Sequence, residues 1–237
     1  MTLRILHRTD DWLVIDKPAG VDFHCQADQA GVIVQLSQQL GCKIWPVHRL
    51  DKVTSGCLLV ATNAVAAADL SQQFATRQVQ KEYLALAQGK PKKKQGWIKG
   101  DMAKSRNGSW KLLRSQNNPA ITQFHSERLE DPQLLSALWP TTHDTSALNP
   151  KFPEQVENNV RMYHLFPKTG KTHQLRVMMK SLGVPIIGDD RYGGPVASRC
   201  YLHAYRLTFE WNAETISLCS TPTDQGWPEL SNTTDPS

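Results

Sequence analysis

The 237-residue sequence predicts an α+β protein, a mixed and largely antiparallel β-sheet with flanking helices. Three observations carry this. Short apolar or alternating runs outnumber helical stretches, short turns rich in Gly, Pro, Asn or Asp join many of them, and regular βαβ alternation is missing. A hydrophobic content of 40% and a charged content of 21% lie in the globular range, against disordered or collagen-like chains. No apolar run approaches the roughly 18 residues that a membrane-spanning helix needs.

Leu13-Val14-Ile15, stopped by Asp16-Lys17-Pro18-Ala19-Gly20, reads as a buried strand ending in a turn. Val32, Leu36 and Leu40 recur every four residues before Gly41, which predicts a helix over 32–40. Cys57–Ala61 is the next strand, and Asn63 is placed to cap an Ala-rich helix that reaches about Thr76. Lys81–Ala87 alternates up to Gly89 and predicts a strand. The Lys- and Gly-rich stretch after it fits a hairpin, with Trp97 and Trp110 assigned first to core packing. Ala120–Leu129 and Val160–Phe166 read as strands. Between them, 131–159 holds four prolines and no sustained periodicity, so it is predicted to be an excursion in which Leu134, Leu135, Leu138 and Trp139 could pack. Thr172–Leu182 is a helix stopped by Gly183. A strand Val184–Ile187, a turn 188–194 and strands near 201–211 and 214–220 complete a single domain over 1–230, with a frayed tail at 231–237.

Charge is unevenly distributed. Between Arg77 and Arg114 there are eleven basic residues against Glu82 and Asp101, an excess of nine in a chain whose total is +5. The remainder is therefore mildly acidic, and one basic segment points to an anionic partner on one face, nucleic acid first and an acidic membrane second. The alternative is a solvated lysine-rich loop. The five cysteines form no C-x-x-C pair, no histidine has zinc-like spacing, and the N-terminus lacks a secretory apolar region. The expectation is a cytoplasmic protein without metal or membrane attachment, and a monomer.

Two stretches can carry chemistry. In His48-Arg49-Leu50-Asp51-Lys52-Val53-Thr54-Ser55-Gly56, an acid lies close to an Arg and to hydroxyl donors. Asp51 could act as nucleophile or base, or simply cap the turn with Thr54 and Ser55, and residue types alone leave both open. In Thr169-Gly170-Lys171-Thr172-His173-Gln174-Leu175-Arg176, a Thr-Gly turn and lysines precede a helix start, where backbone N–H groups favour phosphate. The spacing is not that of a nucleotide-binding P-loop.

These two blocks, with Lys17-Pro18-Ala19-Gly20, Lys81-Glu82-Tyr83-Leu84-Ala85, Gly188-Asp189 with Tyr192-Gly193, and Leu202-His203-Ala204, occur in the order seen in the RluA family of pseudouridine synthases, which the chain resembles from about residue 10 to 220. The resemblance implies the pseudouridine synthase fold with a central catalytic cleft, and isomerisation of uridine in tRNA or large-subunit rRNA without a cofactor. It implies that Asp51 is the catalytic aspartate, Arg176 its ion-pair partner, and Tyr83 the ring stacked on the base and a candidate to help remove its proton. Leu175 would be the opposite wall and Arg49 the residue entering the vacated stack, while His48, Thr54 and Lys171 lie in the substrate-binding motifs. An enzyme acting on a base must extrude it into a pocket with a stacking ring and an apolar wall, which Tyr83 and Leu175 can provide. Lys92, Lys93, Lys94, Lys99, Lys104 and Arg106 are the expected RNA-backbone contacts. Lys171 and Met178 depart from the residues usual at those positions. No S4-type RNA-binding domain is expected, so RNA selection would fall on the catalytic domain. A protein that binds RNA as a chaperone or assembly factor is the alternative.

Overall fold

The computed structural model describes residues 2–23, 25, 30–130, 138, 159–224 and 226–229. Its centre is a ten-stranded sheet in which β1 (Arg4–Arg8), β2 (Trp12–Lys17), β4 (Ser55–Ala61), β11 (Leu202–Trp211), β5 (Gln80–Gln88), β10 (Val160–Pro167), β9 (Ala120–Arg128) and β6 (Gln95–Gly100) lie side by side in that order. Strand β12 (Glu214–Cys219) pairs with β11, and β3 (Trp45–Pro46) with β4. Only β4 and β11 run parallel among these pairs, so the sheet is mixed and largely antiparallel, as the sequence predicts. Strands β7 (Met102–Lys104) and β8 (Trp110–Leu112) form a separate hairpin.

Alternation along the strands sorts side chains onto two faces. On one face Leu58 and Val60 of β4 join Val32 and Leu36 of α1 (Val32–Leu40), while Ala85 and Leu165 join Leu175 and Met179 of α3 (Gln174–Ser181). Tyr83 packs against both of these clusters, at the seam between them. On the other face Cys57 and Leu59 meet Ala66 and Leu70 of α2 (Ala64–Ala75), and Leu84 and Leu86 meet Tyr201 and Trp227.

Local chemistry explains the helices. Gly41 ends α1 in the left-handed conformation, and the Asn63 side chain accepts from the Ala66 N–H at the start of α2. Helix α3 begins at Gln174, later than predicted, because His173 is left-handed at φ 56°. The parallel junction of β4 and β11 requires Gly56. Its φ is +103°, and a Cβ there would lie 2.2 Å from the Ala204 carbonyl oxygen.

Three expectations are corrected. Val184–Ile187 is not a strand: Pro185 has no N–H for a ladder, and only an isolated bridge from Ile186 to Ala87 forms. Trp97 is not core; β6 edges the sheet, turning Ile98 inward and leaving Trp97 51% exposed. Trp110 is only partly buried, on the hairpin. The predicted excursion lies outside the described residues except for Leu138, which is buried beside Tyr201 and Trp227, and Asn159; the expected tail also lies outside them.

Candidate active site

The loop carrying Asp51 leads into β4 and is suspended from a buried lysine. Lys17, fully buried at the end of β2, donates from Nζ to the carbonyl oxygens of Pro18 at 2.9 Å, Lys52 at 3.3 Å and Thr54 at 2.9 Å. Those three acceptors use all the donors of an ammonium group. Burial pulls Lys17 down to about 8, Asp22 and Asp51 acting in the opposite sense. The Thr54 N–H donates to the Asp51 carbonyl at 3.0 Å, and the Gly20 N–H donates to that of Lys52 at 2.8 Å. The Asp51 backbone is thus fixed from both sides.

A second anchor lies on the opposite face of the sheet. Arg199 Nη2 donates to Ser55 Oγ at 2.6 Å, Ser55 donates to His203 Nδ1 at 2.7 Å, and His203 Nε2–H donates to the Ser220 carbonyl at 2.7 Å. The carbonyl accepts only, which fixes the tautomer. Burial lowers His203 to about 4, so the ring is neutral at neutral pH. This chain borders a cavity of about 360 Å³, larger than the one that Asp51 faces. Its Ser55, Arg199 and His203 are taken up in tying β4 to β11, whereas Asp51 and the residues of the other sequence blocks converge on the smaller cavity.

That smaller cavity, about 100 Å³, is lined by Asp51, Arg49, Thr54, Lys81, Tyr83, Lys171, His173, Leu175 and Arg176 among others. The size suits one flat ring, well below the roughly 300 Å³ at which pockets for drug-sized ligands begin. Of the residues singled out from the sequence, all but His48 and the backbone lysines and Arg106 therefore meet in one place. His48 packs elsewhere. Its Nε2 accepts from the Leu59 N–H at 3.0 Å and its ring stacks on Phe74 at 4.3 Å, while burial and then Lys81 lower it to about 3. It braces β4 as a neutral ring and does not line the pocket.

Arg176 organises the charges. It is 5% exposed; its Nε and Nη2 donate to both carboxylate oxygens of Asp189 at 2.8 and 2.7 Å, and its Nη1 lies 3.7 Å from Asp51 Oδ2. Burial alone would lower Arg176, but the hydrogen bonds and charge of Asp189, then Asp51, outweigh it and raise the guanidinium. Its cation also lies 5.0 Å from the Tyr192 ring centroid. Asp189 was noted in the sequence only as part of a motif. Its contact with Arg176 depends on the tight 186–194 turn, where Gly194 N–H and Tyr192 N–H both donate to the Asp189 carbonyl.

The walls are Tyr83 and Leu175. Burial and then the Asp51 charge push the Tyr83 phenol up, so it is neutral in the resting pocket. His173 bonds Tyr192 Oη through Nδ1 at 2.8 Å, and burial lowers it. At the start of α3, where the sequence suggests phosphate binding, the Lys171 N–H donates to Gln174 Oε1 at 3.0 Å and the Lys171 ammonium donates to the Asn118 carbonyl, which takes one of that ammonium's three N–H groups.

The basic segment is not one patch. Ile98 shares a row with Thr122 and the pocket residue Pro167, so Lys99 follows close behind but points to the opposite face with Trp97. Lys94 lies four residues back, about 14 Å along the edge, with Lys92 and Lys93 beyond it. Lys104 and Arg106 are exposed on the hairpin region, which the Trp110 N–H ties to Tyr192 Oη at 3.1 Å. Among the described residues no group of three or more His, Cys, Asp or Glu is placed to hold a metal ion, and no helix is long and apolar enough to cross a membrane.

Comparison with known proteins bears on the family and the fold. An "Uncharacterized RNA pseudouridine synthase" from Haemophilus influenzae is 41% identical over 231 residues, covering 96% of this chain and 91% of the relative. The tRNA pseudouridine synthase C of Pasteurella multocida is 30% identical over 251 residues, covering 99% and 97%. The ribosomal large subunit pseudouridine synthase C of Rickettsia bellii is 33% identical over 218 residues, and the match spans 86% of this chain but 62% of that longer protein. The solved structure of human RNA Pseudouridylate Synthase Domain Containing 1 superposes with a TM-score of 0.71 at 26% identity, covering 93% of this chain and 84% of that one. Residues 11–181 match the family described as RNA pseudouridylate synthase. With that match and the 41% identity spanning nearly the whole chain, this protein belongs to the RNA pseudouridylate synthase family.

Proposed function

We propose that this protein isomerises uridine to pseudouridine in structured tRNA or large-subunit rRNA, using the pocket around Asp51. The observation that carries the proposal is the convergence of one carboxylate, a guanidinium 3.7 Å from it, a neutral aromatic ring and an apolar wall on a cavity of about 100 Å³. Extruding a base costs a few kcal/mol, and the Tyr83 ring and the Leu175 side chain replace the lost stacking. Arg49, exposed at the rim, is placed to fill the space the nucleotide leaves.

Asp51 then acts at the ribose. It either adds to the anomeric carbon as the bond to N1 breaks, with the electron pair leaving on the base, or takes the proton from the neighbouring ribose carbon. The freed uracil turns within the pocket and its C5 bonds to the anomeric carbon as the Asp51 ester to that carbon breaks or, on the second route, as Asp51 returns the proton to the neighbouring ribose carbon; the C5 proton is then lost and N1 is protonated. Arg176, held rigid by Asp189, keeps a positive charge beside the carboxylate during these steps. The neutral Tyr83 phenol can accept the final proton only while handing its own to a neighbour, and Asp51 is the adjacent basic group.

The test is tritium release from tRNA and rRNA transcripts labelled at uridine C5. Wild-type protein is expected to release tritium to water and Asp51→Asn to release none. No release from either RNA class by wild type, or undiminished release by Asp51→Asn, would overturn the proposal.

A further inference from the structure

The active-site pocket is short of negative charge. Arg49, Lys81, Lys171 and Arg176 line it against one carboxylate, Asp51. Arg176 is neutralised by Asp189 and Asp51, and the Lys171 ammonium is bound to the Asn118 carbonyl. Lys81 has no such partner. It is half-buried, and among the described residues its ammonium makes no hydrogen bond or ion pair, lying 5.9 Å from the Phe74 ring centroid. Burial lowers its pKa, and the neighbouring charges that add to this, Arg77 and Lys168, are both positive. Glu82, the next residue, points to the other face, where His164 Nδ1 at 2.8 Å and Arg206 Nε at 3.6 Å hold it.

The positive charges of the exposed Arg77, after α2, and Lys168, in the turn after β10, both act on Lys81 of β5. An unpaired, partly desolvated ammonium acted on by like charges opposes folding, and a bound anion removes that penalty. We propose that Lys81, the unpaired ammonium of the pocket wall, binds the backbone phosphate flanking the extruded uridine and so holds its ribose against Asp51, the charges of Arg77 and Lys168 adding to its pull on the anion. The inference rests on the pocket receiving a uridine of RNA. When a nucleotide swings out about its backbone, its flanking phosphates stay at the rim, and a single unpaired ammonium lining the pocket suits one phosphate better than a long run of them. Lys81 is therefore a substrate-positioning residue, not merely part of a basic segment.

The experiment compares wild type with Lys81→Gln, Lys81→Arg and the double variant Arg77→Gln/Lys168→Gln. The probes are total tRNA and rRNA from cells lacking the gene and, for the modified site found in them, a synthetic RNA with a neutral methylphosphonate at each flanking linkage in turn. Lys81→Gln is expected to lower kcat/KM about tenfold or more and to reduce the salt slope of RNA binding by about one unit. Its unfolding midpoint should be unchanged or higher, Lys81→Arg should restore most of kcat/KM, and the double variant should lower it by less than Lys81→Gln. One methylphosphonate should bring wild type down to the level of Lys81→Gln and cost the variant nothing more. Wild-type kcat/KM and salt slope in Lys81→Gln, or equal losses for both proteins on every methylphosphonate RNA, would overturn the inference. A wild-type protein that forms no pseudouridine would overturn the catalytic proposal instead, and the salt slope would still decide for Lys81.

Discussion

Replacing Arg176 separates what the buried Arg176–Asp189 pair does for stability from what it does for chemistry. The pair is nearly inaccessible, at 5% and 1% exposure, and has two short hydrogen bonds. Arg176→Met leaves Asp189 as a buried, uncompensated carboxylate, which costs about 3 to 5 kcal/mol by comparison with other broken buried pairs. With a urea m-value of about 3 kcal/mol/M, the unfolding midpoint should fall by about 1 to 1.7 M. The double variant Arg176→Met/Asp189→Leu should regain most of that loss, because a buried pair exchanged for packed apolar groups is often near neutral. Pseudouridine formation should not recover: without the charge 3.7 Å from Asp51, kcat should stay about 100-fold or more below wild type in both variants. Urea titration followed by fluorescence and a single-turnover assay on the same preparations give both numbers. A single variant with the wild-type midpoint, or a stable double variant within tenfold of wild-type kcat, would refute the reasoning.

Further outcomes follow from other parts of the structure. Tyr83→Phe keeps the stacking face and should bind RNA as wild type does while kcat falls about 100-fold or more; Tyr83→Ala should also weaken binding, and an unimpaired Tyr83→Phe would remove the phenol from the chemistry. Gly56→Ala meets the Ala204 carbonyl at 2.2 Å in a left-handed conformation and should destabilise the protein by more than about 2 kcal/mol, so a wild-type melting temperature would contradict the packing there. His48 and His203 are held neutral in the fold, down to about 3 and about 4, against an unfolded value near 6.5. The unfolded chain therefore binds more protons as pH falls below about 6.5, and stability is lost on acidification from pH 7 to 5 by up to about 4 kcal/mol for the two rings. Urea midpoints that stay constant over that range would contradict this. Replacing Lys92, Lys93 and Lys94 with Gln should flatten the salt dependence of RNA binding by about one unit per lost phosphate contact, and an unchanged slope would mark them as solvated charge.

Much of the fold was legible because local signals matched tertiary demands. The four-residue spacing ending at Gly41 and the Asn63 cap placed α1 and α2 almost to the residue. Strand β1 went unseen because Arg4, His7 and Arg8 give a sheet edge no apolar pattern, and β3 exists only through two pairings with β4. The apolar run Val184–Ile187 looked like a strand, but Pro185 and the close turn after it decide otherwise. Asp51, Tyr83, Leu175 and Arg176 were legible in the site through family motifs, not through spacing, since the fold joins positions far apart in the chain. Asp189 and Lys17 were missed because one meets its partner across a turn and the other spends its charge on backbone carbonyls. Lys81 stands in the basic segment and in a family motif, but no sequence signal shows that a lysine lacks a partner.

The most direct measurement is to delete the gene, map pseudouridines across cellular tRNA and rRNA, and restore the gene as wild type or as Asp51→Asn. The expected result is that at least one pseudouridine disappears on deletion, returns with the wild-type gene and stays absent with Asp51→Asn. An unchanged map after deletion, or full restoration by Asp51→Asn, would contradict the assignment of this pocket to uridine isomerisation.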